Sequence, residues 1–411
     1  MTYTDLETGK VMESYQYSYD KNSNITEKTE VNNYPKEEKD KVNETKAYTY
    51  DALGRLTKTV TTDHKNDDKT KTVTYDKAGN RTTVNEVRQY SYDANGNQTD
   101  VKNTKTGQTE SYTYDAENRL SKVSVTDKDG KTAVIQQNRY NGDGQRIQKV
   151  EGSKTTNYYY QDGVVSYTTD GDNSQTSQNL IGTDGNILAT QRYGSDHTDY
   201  LLYHKDIQGS TTSLVKEDGS VDATYQYTDF GQTTINGDNK AENEVCYTGG
   251  IYDQSTGLYY LNARYYNPED GRFVTEDSYR GEVDDPDTGH LYGYCANNPV
   301  NYVDPSGHFA IAVPYLVKLV LAGGTVIYVY YSTWKWHSPK TRYSGRRISH
   351  RTTIFKWIVA RAIRHRIKKY APHETNKTKA NKEKHEKGDA RRNRDQGGEK
   401  KKQKKGWKSR K

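Results

Sequence analysis

The feature that most constrains this chain is a Tyr-Asp pair that recurs through its first 150 residues. Pairs begin at residues 19, 50, 75, 92 and 114, and a weaker Tyr-Asn copy begins at residue 140. Three copies continue as YDALGRLTKT, YDKAGNRTTV and YDANGNQTDV. Each is typical of a strand, an Asx turn with glycine at positive φ, and a second strand. One hairpin cannot bury its own face, so the pattern predicts stacked repeats in a β-solenoid or spiral sheet.

Composition argues against a thick hydrophobic core. Of 411 residues only 31% are hydrophobic, mean hydropathy is −1.16, and four Phe accompany 38 Tyr. Tyrosine supplies buried aromatic area while its hydroxyl stays hydrogen-bonded, which suits a thin, tyrosine-faced sheet. The two cysteines, Cys246 and Cys295, form neither a disulfide framework nor a zinc-site spacing. We expect two unpaired thiols in or near the core.

The stretch from Tyr247 to Gly307 alternates short tyrosine-rich runs with Gly, Pro and Asx turns, which favours compact β structure. It contains DQSTGLYY from residue 253, ARYYNP from 263, GRF from 271, NNP from 297 and DPSG from 304. In this order these motifs resemble the RHS repeat-associated core, and the upstream pairs resemble YD repeats. The chain thus resembles the C-terminal part of RHS/YD-repeat polymorphic toxins, such as the wall-associated tRNA nucleases. The resemblance implies a β-shell that ends in this core, followed by a variable toxin.

The predicted fold is therefore mainly β: an open, partial YD-repeat shell, then a small, mostly α, basic domain. We expect a YD-repeat region over 1–200, the RHS core over 201–307, an apolar linker or membrane segment over 308–331, and the toxin over 332–411. The first ten residues contain neither a basic nor an apolar signal-peptide region. Export would then need another signal, or the chain is a fragment of a longer protein.

The resemblance also implies possible self-cleavage just after the core by an aspartyl mechanism. Two close carboxylates split their pKa values, so one acts as base and the other as acid. Asp277 stands at the family's aspartate, Arg272 precedes it, and Asp304 opens the final DPSG motif. The chain departs from the family pattern with Ser278 in place of proline and His308 where leucine is frequent. The alternatives are that these aspartates only form turns, or that Asp284 or Asp285 supplies the second carboxylate.

Residues 309–331, FAIAVPYLVKLVLAGGTVIYVYY, carry a single charge and form a transmembrane candidate. Three interpretations stay open: a segment that helps the tail cross a target membrane, a permanent anchor, or a buried helix of the toxin.

The last eighty residues contain 28 Lys and Arg against six Asp and Glu, which leaves 33 basic and 49 acidic residues upstream. Such asymmetry predicts that the tail seeks RNA, DNA or an anionic membrane. Within it, Phe355 to Tyr370 has apolar residues at helical spacing. This basic amphipathic helix could pack within the toxin, lie on a membrane or dock a partner. Its candidate nucleic-acid-binding residues are Arg361, Arg364, Lys368 and Lys369.

Residues 373–407 mix histidine, acid and arginine in a way that suits a metal-independent ribonuclease. Such an enzyme needs a base, an acid and cationic stabilisation of the transition state, so no cofactor is expected, although a divalent metal stays possible. His373 and His385 are candidate catalytic bases or metal ligands, and Glu386 and Asp395 could orient them. The candidate phosphate-binding residues are Arg391, Arg392 and Arg394. A solvated, partly disordered basic tail is the alternative.

The leading functional prediction is a nuclease toxin of intercellular competition, secreted or associated with the cell wall, with RNA preferred over DNA. Its expected partners are RNA of the target cell, a cognate immunity protein and a transient membrane contact. One alternative is a membrane-permeabilising toxin that acts through residues 309–331 and the 355–370 helix. The other is a non-enzymatic cell-surface scaffold.

Overall fold

The computed structural model describes residues 1–5, 8–63, 68–75, 79, 81, 88–182, 185–194, 197–278, 290–308 and 310–313, and the backbone of 315–320 and 326–331. All of these lie in one compact unit, Met1–Ser338. The predicted 355–370 helix, and with it the whole basic tail, lies outside the described residues.

Two antiparallel sheets, here called the wall, contain the tyrosine repeats, and in each sheet neighbouring strands are consecutive in sequence. The first sheet consists of β1 (Thr2–Thr4), β2 (Val11–Tyr19), β3 (Ile25–Asn32), β4 (Val42–Tyr50), β5 (Leu56–Asp63) and β6 (Lys69–Thr72). A 3-10 turn, Glu38–Asp40, precedes β4. The prediction of a mainly β shell of YD repeats is confirmed.

The second sheet has fourteen strands among the described residues. They are β7 (Arg88–Tyr92), β8 (Gln98–Asn103), β9 (Thr109–Tyr114), β10 (Leu120–Thr126), β11 (Thr132–Tyr140), β12 (Arg146–Glu151), β13 (Lys154–Gln161), β14 (Val164–Thr169), β15 (Gln175–Ile181), β16 (Ile187–Tyr193), β17 (Thr198–Lys205), β18 (Thr211–Lys216), β19 (Val221–Tyr227) and β20 (Thr233–Gly237). The domain boundary expected after residue 200 lies inside β17. The sheet continues past that point without a break to Gly237.

In the repeats whose turns the structure describes, the aspartate closes an Asx turn between two strands. Asp51 Oδ1 accepts hydrogen bonds from the backbone N–H groups of Leu53 and Arg55, both at 3.0 Å. Asp115 Oδ1 accepts the equivalent pair, and glycine stands at positive φ in several turns, for example Gly54 at +81°. The side chain thereby replaces the backbone partners that a reversing chain loses.

In six of the described hairpins a tyrosine bonds to the hairpin before it. Its hydroxyl donates to the carbonyl of the residue five positions after the preceding turn's Asp or Asn. The donor–acceptor pairs are Tyr50–Ile25, Tyr75–Leu56, Tyr114–Gln98, Tyr140–Leu120, Tyr160–Arg146 and Tyr227–Thr211, at 2.6–2.8 Å. This tyrosine ladder fixes the register between repeats and gives each half-buried hydroxyl a partner.

Residues 245–308, here called the core segment, fold against the wall. Their strands are β21 (Ile251–Asp253), β22 (Leu258–Leu261), β23 (Arg264–Asn267), β24 (Arg272–Phe273) and β25 (Tyr302–Val303), which pairs with β26 (Ile311–Ala312). Two 3-10 turns, Tyr247–Gly249 and Cys295–Asn297, connect them. One face of the segment packs Tyr259 and Tyr266 against Leu214 and Tyr225 of the wall, and another packs Tyr265 against β8–β10. Both cysteines are buried and free, as expected.

A buried ion pair joins the core segment to the wall. Arg146 on β12 and Asp253 on β21 both have side chains of 0% exposure, with Nη1 and Oδ2 2.5 Å apart. Lys149 Nζ lies 3.2 Å from the other oxygen, Oδ1. Burial alone would raise the pKa of Asp253, but Arg146 and Lys149 outweigh it and hold that pKa below its usual value.

The apolar run after the core has an unexpected form. Tyr315–Val320 (β27) pairs antiparallel with Val326–Tyr331 (β28), so the helical form considered for this run is wrong for these residues. The run is rich in Val, Ile and Tyr, whose branched and aromatic side chains favour strands over helices. In the part of the chain that the structure describes, no helix is long and apolar enough to cross a membrane.

Candidate functional site

One buried arginine holds the point where the chain leaves the core segment. Arg264 Nε donates to the Gly307 carbonyl at 2.5 Å, and Nη1 donates to the Leu291 carbonyl at 3.0 Å. Nη2 lies 2.5 Å from Asp277 Oδ2, and the guanidinium carbon lies 3.7 Å from the Phe273 ring centroid. The side chain is 5% exposed, so its charge is neutralised locally rather than by water.

A tight hairpin brings Arg264 to that point. β22 and β23 pair through Leu261 and Arg264, with Asn262 at a φ of +63° in the turn. The same turn holds residues 305–307, where the chain leaves the core segment. Asn262 Nδ2 donates to Pro305 O, and Ala263 N donates to Ser306 O. The hairpin and residues 305–307 therefore form one rigid junction.

Gly307 is required at this junction by space as well as by conformation. Its φ is +73°, and an added Cβ would lie 2.5 Å from Leu261 O and 3.0 Å from Arg264 N. Both contacts are to backbone atoms, which cannot rotate away. A side chain here would push the Gly307 carbonyl away from Arg264.

Asp304 also fixes the conformation of this stretch, through hydrogen bonds to the residues that follow it. Its Oδ1 accepts hydrogen bonds from His308 N at 3.1 Å and from Ser306 Oγ at 3.2 Å, and the residue is 3% exposed. Burial lowers the pKa of Arg264, whereas Asp277 and Asp304 both act to raise it. The two carboxylates thus act on the same guanidinium.

His308 completes the cluster. Its Nδ1 lies 3.5 Å from Asp277 Oδ1, whereas Arg264 contacts the other oxygen, Oδ2. Asp277 is anchored through its own N–H to Leu291 O at 2.9 Å. His308 is 38% exposed on its side chain and lines a cavity of about 380 Å³ together with Arg119, Asp143 and Tyr260. Water therefore has access to the peptide between Gly307 and His308.

The structure brings some of the sequence-predicted residues together and separates others. Asp277 and Asp304 meet at this site, but Arg272 lies on β24, pairs with Gly293 through its backbone and interacts with Tyr92. The arginine at the site is Arg264, which the sequence reasoning missed although the ARYY motif contains it. The other candidates lie outside the described residues: Asp284, Asp285, His373, His385, Glu386, Asp395, Arg361, Arg364, Lys368, Lys369, Arg391, Arg392 and Arg394.

The site offers an oriented carbonyl, a cation beside its oxygen and a carboxylate within reach of water. These groups suit hydrolysis of a peptide bond, because a cation stabilises the oxyanion and a carboxylate can accept the proton of water. Within the described ranges, no three His, Cys, Asp or Glu side chains are placed to hold a metal ion.

Comparisons with known proteins agree with this architecture. The family model described as Teneurin YD-shell matches residues 2–300. The tRNA3(Ser)-specific nuclease WapA of Bacillus spizizenii is 36% identical over 268 residues, which cover 64% of this chain and 11% of the relative. The tRNA nuclease WapA of Bacillus subtilis strain 168 is 35% identical over the same shares. The chain therefore spans about a tenth of the length of these relatives.

Among solved structures, the TcdB2–TccC3–Cdc42 complex is similar with a TM-score of 0.53 and 20% identity, covering 74% of this chain and 17% of that one. At that identity the likeness concerns the fold alone. The family match covers more than half of the chain, and it includes both the repeats and most of the core segment. The chain belongs to the RHS/YD-repeat toxin family, and its residues 2–300 are a YD-shell of the Teneurin type.

Proposed function

We propose that this chain is the carrier and effector end of a polymorphic toxin, with a ribonuclease in the residues that follow the core segment. The observation that carries the proposal is the change in charge along the chain: the shell is followed, over residues 332–411, by a strongly basic tail of 28 Lys and Arg. Two relatives of the shell are named as tRNA nucleases, which supports RNA as the substrate. A cognate immunity protein and delivery into a target cell belong to the same proposal.

In the proposed reaction His385 is the base, His373 the acid, and Arg391, Arg392 and Arg394 bind phosphate. The test is induced expression of the whole chain in bacterial cytoplasm, with total RNA resolved on a denaturing gel. We expect growth arrest and discrete RNA fragments, both abolished by His385→Ala and retained by the matched variant His337→Ala. A chain that stops at Gly307 should be harmless.

Other outcomes of the same experiment would contradict the ribonuclease. Intact RNA with a lost membrane potential would select the membrane-permeabilising alternative. Healthy cells with intact RNA would leave a scaffold without enzymatic activity.

A second proposed activity is self-cleavage at the junction. Asp277 takes a proton from water, and the oxygen of that water forms a bond to the Gly307 carbonyl carbon. Arg264 Nε stabilises the negative charge on the carbonyl oxygen. The bond from that carbon to His308 N then breaks, and the proton passes to the departing amine. The geometry that favours this reaction is the 2.5 Å contact between Arg264 and the Gly307 oxygen.

Intact mass spectrometry of the purified full chain tests the cleavage. We expect a C-terminal fragment that begins at His308, absent in Asp277→Asn and present in Asp93→Asn, a change in a wall turn. His308→Leu should increase the cleaved fraction, because it removes the imidazole that lies 3.5 Å from Asp277 Oδ1. An uncut wild-type chain, or cutting that survives Asp277→Asn, would exclude this mechanism without affecting the ribonuclease.

A further inference from the structure

The Gly307–His308 peptide lies in the turn of a β-hairpin. On one side of it is β25 and on the other is β26, and the two pair antiparallel with Val303 opposite Ile311. The hydrogen bonds of an antiparallel pair join the two strands directly and do not depend on the turn that connects them. A cut in this turn therefore leaves the strand beyond the cut paired with the core segment.

The pairing continues one residue past β26 and ends in a buried side chain. Val313 N donates to Asn301 O at 2.7 Å, and Val313 is 8% exposed. Asn301 is fixed to the first sheet, because its Oδ1 accepts a hydrogen bond from Ile25 N at 2.6 Å. Backbone bonds to a neighbouring strand, together with a buried apolar side chain, are what holds a separate peptide that adds a strand to a sheet. Residues 311–313 thus have the contacts of a bound peptide.

Each of the two chain ends that hydrolysis creates already faces a group of opposite charge. The Gly307 carbonyl becomes a carboxylate, and the His308 nitrogen becomes an ammonium at neutral pH. Arg264 Nε lies 2.5 Å from the Gly307 oxygen, and Asp304 Oδ1 lies 3.1 Å from His308 N. Charge on both partners strengthens a buried hydrogen bond. The Asp304 contact therefore becomes an ion pair between the core segment and the first residue of the fragment.

We propose, on the basis of the self-cleavage described above, that residues 308–313 form a clasp that keeps the cut toxin on the core segment. Asp304 holds the new N-terminus of the toxin, and β25 with Asn301 holds the strand that follows. Cutting and release are then two separate steps. The first is hydrolysis of one peptide bond, and the second is removal of a paired strand and of Val313 from its buried position. The toxin stays with its shell until that strand is pulled away.

Size-exclusion chromatography of the purified, self-cleaved full chain in native buffer is the first test. We expect its two fragments to elute together and to separate in denaturant. Val313→Asp puts a charge in a buried position and should raise the rate of fragment release by about a hundredfold. Leu53→Asp, the same kind of change at a 60% exposed site in a wall turn, is the matched control and should leave the rate unchanged.

A second cut, which does not depend on self-cleavage, separates the effect of the strand from that of the ion pair. A recognition sequence for a site-specific protease is inserted between His308 and Phe309, in a chain that also carries Asp277→Asn. The fragment produced by this protease keeps β26 but starts without the ammonium beside Asp304. We expect it to elute with the shell as well, and to dissociate about tenfold faster than the self-cleaved fragment.

Three results would overturn the clasp: fragments that separate at once in native buffer, release of the Val313→Asp fragment at the wild-type rate, or equal release rates after the two kinds of cut. Each would leave the cleavage itself in place. An uncut wild-type chain would contradict the self-cleavage instead, and the protease-cut chain would then test the strand contact alone. Its fragments support the clasp by eluting together and overturn it by separating.

Discussion

The turn aspartates of the wall find their partners a few residues away, whereas two buried side chains of the core segment, Asp253 and Arg264, find theirs far along the chain. Asp51 and Asp115 are satisfied by backbone groups two and four positions on. Asp253 instead meets Arg146, 107 residues away, and Arg264 holds Gly307, 43 residues away. The wall therefore tolerates local change, while the core segment depends on contacts that exist only when everything is folded.

The largest effect should come from breaking the ion pair between the two regions. Arg146→Ala leaves the buried Asp253 carboxylate without its closest cation, and we expect a loss of about 3–5 kcal/mol in the free energy of unfolding. Lys41→Ala removes a lysine–carboxylate pair, with Glu38, that is confined to the turn before β4, and it should cost no more than about 1 kcal/mol. Chemical denaturation measures both. Equal losses would refute the contrast between local and long-range partners.

Low pH should also weaken the ion pair between Asp253 and Arg146, with a smaller loss of stability than Arg146→Ala causes. The pKa of Asp253 is lowered in the fold, so its stabilising contribution is complete above the unfolded value of about 3.9 and disappears as pH falls through the folded value. Protonation leaves its hydrogen bonds possible, so the loss should be smaller than in Arg146→Ala. The free energy of unfolding measured from about pH 6 to about pH 2, roughly two units either side of the unfolded pKa, should fall less steeply for Asp253→Asn. A wild type and variant with identical slopes would contradict this assignment.

Alanine substitution at two glycines with positive φ compares the cost of backbone strain alone with the cost of backbone strain plus steric clashes. Gly54→Ala, in a wall turn with nothing within 4 Å of an added Cβ, should cost about 1–2 kcal/mol of unfolding free energy. Gly307→Ala adds clashes with two backbone atoms and should cost on the order of 3 kcal/mol. If self-cleavage occurs, Gly307→Ala should also reduce it. The opposite ranking in thermal unfolding would show that the junction is looser than its contacts indicate.

The smallest effect should come from one rung of the tyrosine ladder. Tyr140→Phe removes the hydroxyl that donates to Leu120 O at 2.6 Å and should cost about 1 kcal/mol of unfolding free energy. Tyr159→Phe, on the exposed surface of β13, should change it by less than about 0.5 kcal/mol. Chemical denaturation of both variants compares them directly. Indistinguishable variants would mean that water replaces the ladder bond without loss.

The repeats could be predicted from the sequence because their chemistry is local. The spacing of Tyr-Asp pairs with glycine is enough to place the strands and the Asx turns. Arg264 could not be recognised as the partner of Asp277, because that depends on how β22 and β23 turn against residues 305–307. The apolar run points in two directions. Its length and low charge suit a helix, whereas its Val, Ile and Tyr content favours strands, which is the form of residues 315–320 and 326–331.

The tyrosine ladder implies an order in time. Each of the six ladder tyrosines donates to a carbonyl of the hairpin before it, so these hairpins complete their hydrogen bonds only on a predecessor that is already in place. During synthesis the predecessor leaves the ribosome first, and every new hairpin meets a finished template. The wall can therefore grow in one direction as it is translated, each repeat protecting the edge of the last, with the core segment arriving when the surface that receives it is complete.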